Sequence, residues 1–337
     1  MRNETRKAYN AYLQQIATLN GVPSAVEKFA IEPSVQQTIE NKIQDTSAFL
    51  KLVNNMGVTE QKGEKLGLGI GSTVASTTDT TAQDRQTQDP STLDDNGYEC
   101  TQTNFDTHLR YSKLDAWAKF SDFQQRIRDQ ILQRQALDMI CIGFNGTSRA
   151  ATSDRTANPL LEDVNVGWLE KYRNHAGGIR VMSEVVSGSG QVRVGLTGSD
   201  YKNLDAVVYD AVSRLIEPWY REDTGLRVIL GRALMADKYF PLINSTLEPT
   251  ETLAADLIIS QKRIGGLQAM SVPFFPANAL MITRPDNLSR YYQIGGRRRT
   301  IKDNVKRDQI ENYESSNDAY VVEDYACGCV VENISFV

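Results

Sequence analysis

The residues able to do chemistry are few in this 337-residue chain. Its two histidines, His108 and His175, stand far apart, and neither has metal-ligand spacing to another histidine or to a cysteine pair. They read as solvated or hydrogen-bonded side chains, His108 in a polar hairpin and His175 in a loop after a helix. Of the four cysteines, Cys100, Cys141, Cys327 and Cys329, only the last two are close. Residues two apart on a strand point the same way, so their sulfurs could touch one metal. A structural zinc wants four ligands, and two more are not in sight. Gly67-x-Gly69-x-Gly71 looks like a dinucleotide loop, but STVASTTDTT follows it, a poor helix, and the fingerprint needs a helix there. No Walker lysine and no G-x-S-x-G elbow is present. Arg297-Arg298-Arg299 is the one dense basic run. It reads as a solvated loop or, more sharply, as an intersubunit or DNA-facing contact. No catalytic residue, cofactor or metal site is expected.

Composition points the same way. The chain is 40% hydrophobic and 23% charged, an ordinary globular balance able to bury a sizeable core. Its formal net charge of -5 argues against a protein whose main task is gripping nucleic acid. Scattered cysteines suit a reducing cytoplasm better than a disulfide framework. No segment resembles a secretion signal or a membrane span, so a soluble protein made in the cytoplasm is expected.

Something must nevertheless position these side chains. Tyr9, Tyr12, Leu13, Ile16 and Leu19 form one face of a first helix, closed by Gly21. Pro33-Ser34 with Gln37 suggests a capping box for a second helix carrying Val35, Ile39, Ile43, Leu50 and Val53. These are either core helices of a compact domain or an arm that needs another chain. Residues 57–113 are rich in Thr, Gly, Asp and Gln. Leu66, Leu68 and Ile70 alternate at one end, and Tyr98 and Cys100 weakly at the other, which predicts two strands with a long polar tip. Such a ribbon is marginal alone in water and needs a neighbour, or is a loop. Ser121 to Gly143 is the strongest helical signal, about 33 Å long at 1.5 Å per residue. Ile127, Ile131, Leu132, Ala136, Met139 and Ile140 make its stripe, and a charge at Ile131 is expected to block folding. Loops and a short helix near Trp168 follow, then a helix from Ser199, a buried strand at Leu226–Leu230, and a helix over Gly231–Asn244. LQAMSVPFF, ALMIT and the tail, where Val330, Ile334 and Phe336 share a face, supply strands. The fold class is therefore α+β, with mostly antiparallel strands.

Long strings in this chain resemble the major capsid proteins of Peduovirus-type tailed bacteriophages. They include EPSVQQTIENKIQ (32–44), RYSKLDAWAKFSDFQQRIR (110–128), GFNGTSRAATSDRTANPLLEDVNVGWLEKYRN (143–174), AADLIISQKRIGGL (254–267) and ENYESSNDAYVVEDYA (311–326). The resemblance spans nearly the whole chain in order. It implies the Hong Kong 97-type capsid fold, divided as an N-terminal arm (1–56), an extended loop (57–113) and a peripheral domain with a long spine helix (114–200). An axial domain (201–296) and a return to the peripheral sheet (297–337) complete it. It further implies self-assembly through pentamers and hexamers into an icosahedral shell around double-stranded DNA, held without sequence specificity. A scaffolding/protease protein and a portal protein are the other implied partners, with no membrane. The implied location is the virion, built in the bacterial host cytoplasm. Cleavage of an N-terminal segment by a phage protease is implied as well. Ala30, Ile31 and Glu32 offer a place for it, because Pro33 disfavours helix just before it and an exposed linker suits a protease. Two other classes stay open: a non-shell phage structural or scaffolding protein, and a soluble α+β enzyme.

Overall fold

The computed structural model describes residues 1–65, 75–87, 97–117, 123–195, 198–243 and 262–337. Their helices are α1 (Asn3–Leu19), α2 (Pro33–Asp45), α3 (Tyr111–Trp117), α4 (Phe123–Asn145), α5 (Trp168–Asn174), α6 (Leu204–Leu215) and α7 (Arg232–Ile243). The first strands are β1 (Phe29–Ala30), β2 (Asn54–Val58), β3 (Lys62–Gly63), β4 (Tyr98–Glu99), β5 (Thr101–Asn104) and β6 (Thr107–Arg110). Next come β7 (Val181–Met182), β8 (Val192–Val194), β9 (Arg227–Leu230), β10 (Arg263–Ile264), β11 (Leu267–Ser271) and β12 (Leu280–Thr283). The last are β13 (Leu288–Gln293), β14 (Arg298–Asn304), β15 (Gln309–Val322), β16 (Cys329–Val331) and β17 (Ile334–Phe336). The fold class is the expected α+β mixture.

Two larger sheets organise the chain. The first runs β1-β14-β15-β13-β2, and the long β15 also takes β5 and β6. The second runs β10-β11-β9-β12-β16-β7. Its strands alternate between two cores, as side chains on successive strand residues must. Val228, Leu230, Leu280, Ile282, Cys329 and Val331 face the core under α6. Ile229, Met281 and Val330 face the other core, which α4 and α5 fill with Phe144, Trp168 and Tyr172.

Several boundaries differ from the sequence reading. Residues 57–58 lie in β2, 101–104 in β5 and 107–110 in β6, all three strands hydrogen-bonded into the first sheet. The β3–β4 pair at the base of the expected loop is held near the body where the Tyr98 and Tyr291 rings meet edge-on at 5.0 Å. Residues 75–87 hold no helix or strand, and all but Thr78 are exposed. The Leu66–Ile70 alternation and the Gly67–Gly71 run lie outside the described residues, as do Ser121 and Asn244. β13, read with the axial part, joins the first sheet, whereas β7 and β16 join the second. The tail is two strands, because Asn333 adopts φ 56° and turns the chain between β16 and β17. The second helix starts with Pro33 in its first turn and Glu32 as its cap, so the Ser34 capping box does not form. α6 starts later than Ser199, capped by Asn203, whose side chain accepts the Ala206 N–H at 2.9 Å.

Candidate assembly site

Helix α2 presents Gln36, Glu40 and Gln44 at four-residue spacing, which puts them on one face. That face is turned inward. Gln36 Nε2 donates to the Gln293 carbonyl at 3.0 Å and its Oε1 accepts from Gly295 N–H at 2.9 Å. Gln44 Nε2 donates to the carbonyls of Leu50 and Val53, both at 3.0 Å. Between them sits Glu40, fully buried.

Glu40 is the hub of a buried ionic network. Its Oε2 accepts from Arg290 Nη1 at 2.6 Å and its Oε1 from Arg297 Nη1 at 2.7 Å. Arg290 Nη2 also donates to Asp318 Oδ1 at 2.6 Å, and Arg297 Nε to Glu314 Oε1 at 2.8 Å. Gln135, from α4, accepts from Arg297 Nη2 at 2.9 Å. Helix α2, helix α4, three residues of β13 and β15 (Arg290, Glu314 and Asp318) and Arg297 just ahead of β14 thus meet at one point. Two guanidiniums face three carboxylates, which leaves one surplus negative charge. Burial pushes all three carboxyl groups up. For Glu40 and Glu314 the facing arginines outweigh it and hold both below the usual glutamate range. For Asp318 burial wins over Arg290, the Glu40 carboxylate adds to it, and the group sits above the usual aspartate range. Removing charges from water costs several kcal/mol per ion, so the network's value is geometric more than energetic. Fork-shaped guanidiniums accept carboxylates in few orientations, and this fixes where α2 lies on the sheet.

Arg297 was expected at a contact between subunits. It is instead wholly buried and fully engaged inside its own chain. Arg299 is half-buried, with Nε donating to Asn312 at 2.7 Å and Nη2 to Tyr12 at 3.2 Å. Arg298 alone of the three is exposed. A run of arginines looks solvated in sequence, but strand alternation sends the flanking positions to one face and the middle one to the other. The signal that could have located the network is the four-residue spacing of Gln36, Glu40 and Gln44, each one position after the apolar stripe of Val35, Ile39 and Ile43.

The proposed processing residues are extended but not free. Phe29 and Ala30 pair with Arg299 and Arg298, Ile31 is buried, and its N–H donates to the Arg297 carbonyl at 2.9 Å. Ala30 and Glu32 are exposed. An exposed linker was expected there; a short edge strand is found. Ahead of it, α1 packs Ile16 with Ala25, Phe29 and Ile31 against Tyr111, Ile301 and Ile310.

His108 lies on β6, exposed and opposite Glu311. His175 stacks on Tyr325 with ring centroids 3.9 Å apart. All four cysteines are buried and free, and burial raises the Cys327 thiol to about 11. Among the described residues no group of three or more His, Cys, Asp or Glu could hold a metal, and no helix is long and apolar enough to cross a membrane.

The profile of the family described as "Phage major capsid protein, P2 family" matches residues 8–334. The chain belongs to the P2 family of phage major capsid proteins. This capsid protein is 55% identical to the capsid proteins of Escherichia phage P2 over 342 residues, which covers 99% of the chain and 95% of the relative. It is 40% identical to the major capsid protein of Serratia phage KSP20, covering 100% of the chain and 98% of the relative. Its fold matches a chain of the satellite phage P4 procapsid, solved with the size determination (Sid) protein. The TM-score is 0.83 at 52% identity, over 100% of this chain and 99% of that one. The protein is a major capsid subunit, and copies of it form the shell of a phage head.

Proposed function

We propose that the capsid protein closes into an icosahedral shell of pentamers and hexamers around packaged double-stranded DNA, and that it has no catalytic role. The family match over residues 8–334 carries this reading. Rings of five and six need heterologous contacts that close, and one sequence must serve both. The exposed, irregular residues 75–87 suit an extended loop that settles on a neighbour. The net charge of -5 suits a shell that holds DNA without gripping it. In this reading assembly takes place in the bacterial host cytoplasm with a scaffolding/protease protein and a portal protein.

The same reading includes removal of residues 1–31 at the Ala30–Glu32 segment. The segment carries four basic residues (Arg2, Arg6, Lys7, Lys28) and two acids (Glu4, Glu27), a net of +2 that could hold an acidic scaffold. Because Ile31 is clamped to β14, a protease must first peel β1 from the sheet edge. Intact-mass measurement on DNA-filled particles decides it: subunits starting after residue 31 are expected, and subunits retaining Met1–Ile31 would refute the cut. Electron micrographs of the protein co-expressed with its scaffold test the shell itself. Closed uniform particles are expected; a monodisperse monomer that turns over a substrate would favour an enzyme.

A further inference from the structure

We infer that the outer edge of β14, with the apolar face beside it, is a contact between subunits that residues 1–31 occupy until they leave. The inference rests on the proposal that the segment leaves, whether by cutting or by displacement. Among the described residues β14 has β15 on one side and only the two-residue β1 on the other. The segment seals that edge with its backbone: Ile301 N–H donates to Ala25 O at 3.1 Å, and Arg297 O accepts from Ile31 N–H at 2.9 Å. Thr300 Oγ1 adds a hydrogen bond to Val26 O at 2.8 Å.

The side chains beneath are apolar and acidic. Tyr111, Ile301 and Ile310 are buried by Ile16, Phe29 and Ile31. Asp303 is paired with Arg6, and Asp115 lies 3.7 Å from the amino terminus. Loss of the segment would leave open backbone groups on a strand edge, an apolar patch and two acids without their cations. A bare edge of this kind is a template for another strand. In a shell built of this chain, the extended piece at hand belongs to a second copy, added by strand pairing with alternate side chains in the vacated patch. β1 shows the required form: antiparallel to β14, with Phe29 and Ile31 inward. A basic residue should accompany the incoming strand to meet Asp303 or Asp115.

Hydrogen exchange of the Ile301 amide in DNA-filled particles, beside α1 exchange and intact mass, tests this. Where the segment is cut or α1 exchanges freely, Ile301 should stay as slow as in the free full-length subunit. An increase of about tenfold or more, the mark of a bare edge, would overturn the inference and leave the cut standing. Particles that keep residues 1–31 with α1 protected would overturn both. The occupant is read by amine cross-linking at Lys302, exposed on β14, in particles grown from mixed normal and 15N-labelled subunits. Mixed-label pairs of this chain are expected; cross-links confined to one subunit or to another protein would refute a second copy.

Discussion

Arg297 Nη1 donates to Glu40 Oε1 across 2.7 Å, joining residues 257 positions apart in a place without solvent. That bond ties α2 to the strand edge on which residues 25–31 lie. How α2 is held therefore depends on a few buried charges, and these can be changed one at a time.

Neutralising Glu40 and neutralising Asp318 should have unlike effects. Glu40 is held ionised by two arginines, so Glu40→Gln should cost about 3 kcal/mol, as breaking a buried pair does. Asp318 carries the surplus charge, so Asp318→Asn should stay within about 1 kcal/mol of the parent. Urea unfolding of free subunits reads both, and the opposite ranking would contradict the assignment.

The same groups set the response to acid. Glu40 and Glu314 titrate below the ordinary glutamate value of 4.5, so the stability they supply is present above it and lost as pH falls through their native values. Asp318 titrates above the ordinary value of 3.8, so its contribution runs the other way and falls as pH rises through its native value. Urea midpoints should drop below pH 4.5 in the parent and drop less in Glu40→Gln, where Glu314 remains. In Asp318→Asn the acid drop should persist, and an unchanged profile in Glu40→Gln would count against the network.

Gly143 lies inside α4, where alanine would ordinarily help by about 1 kcal/mol. A Cβ there would stand 2.3 Å from Cζ3 of Trp168, whose ring is fixed by its N–H to the Ser289 carbonyl at 3.0 Å. Gly143→Ala should thus destabilise by about 1–3 kcal/mol and shift tryptophan emission. A gain in stability would show that the ring can move.

Ile131 was expected in the core, and the structure changes that expectation. It is only half-buried, as is Ile127, whereas Ile140, further along α4, is fully buried. Ile140→Asp should leave no soluble folded subunit. Ile131→Asp should give folded subunits, by circular dichroism, that assemble poorly if a neighbour covers that end of the helix. An unfolded Ile131→Asp protein would restore the first expectation.

The mixture of helices and strands was legible because α1, α2, α4 and α6 carry apolar residues at helical spacing. The strand pairings were not. β15 reads QIENYESSNDAYVV, too polar for a central strand by pattern, yet it is the middle of the first sheet. Its Glu314 and Asp318 are tolerable there only because Arg297, just ahead of β14, and Arg290, on β13, reach them. The resemblance supplied the shell; the buried role of Arg297 needed coordinates, because no spacing rule links positions 40, 297 and 314.

The most direct measurement is a reconstruction of the assembled particle, by electron cryo-microscopy, fine enough to trace the chain. The account predicts a closed shell in which each subunit keeps Glu40 between Arg290 and Arg297 while the stretch between β3 and β4 lies on a neighbouring subunit. Subunits that form no closed shell, or whose loop folds back on its own body without touching a neighbour, would contradict it.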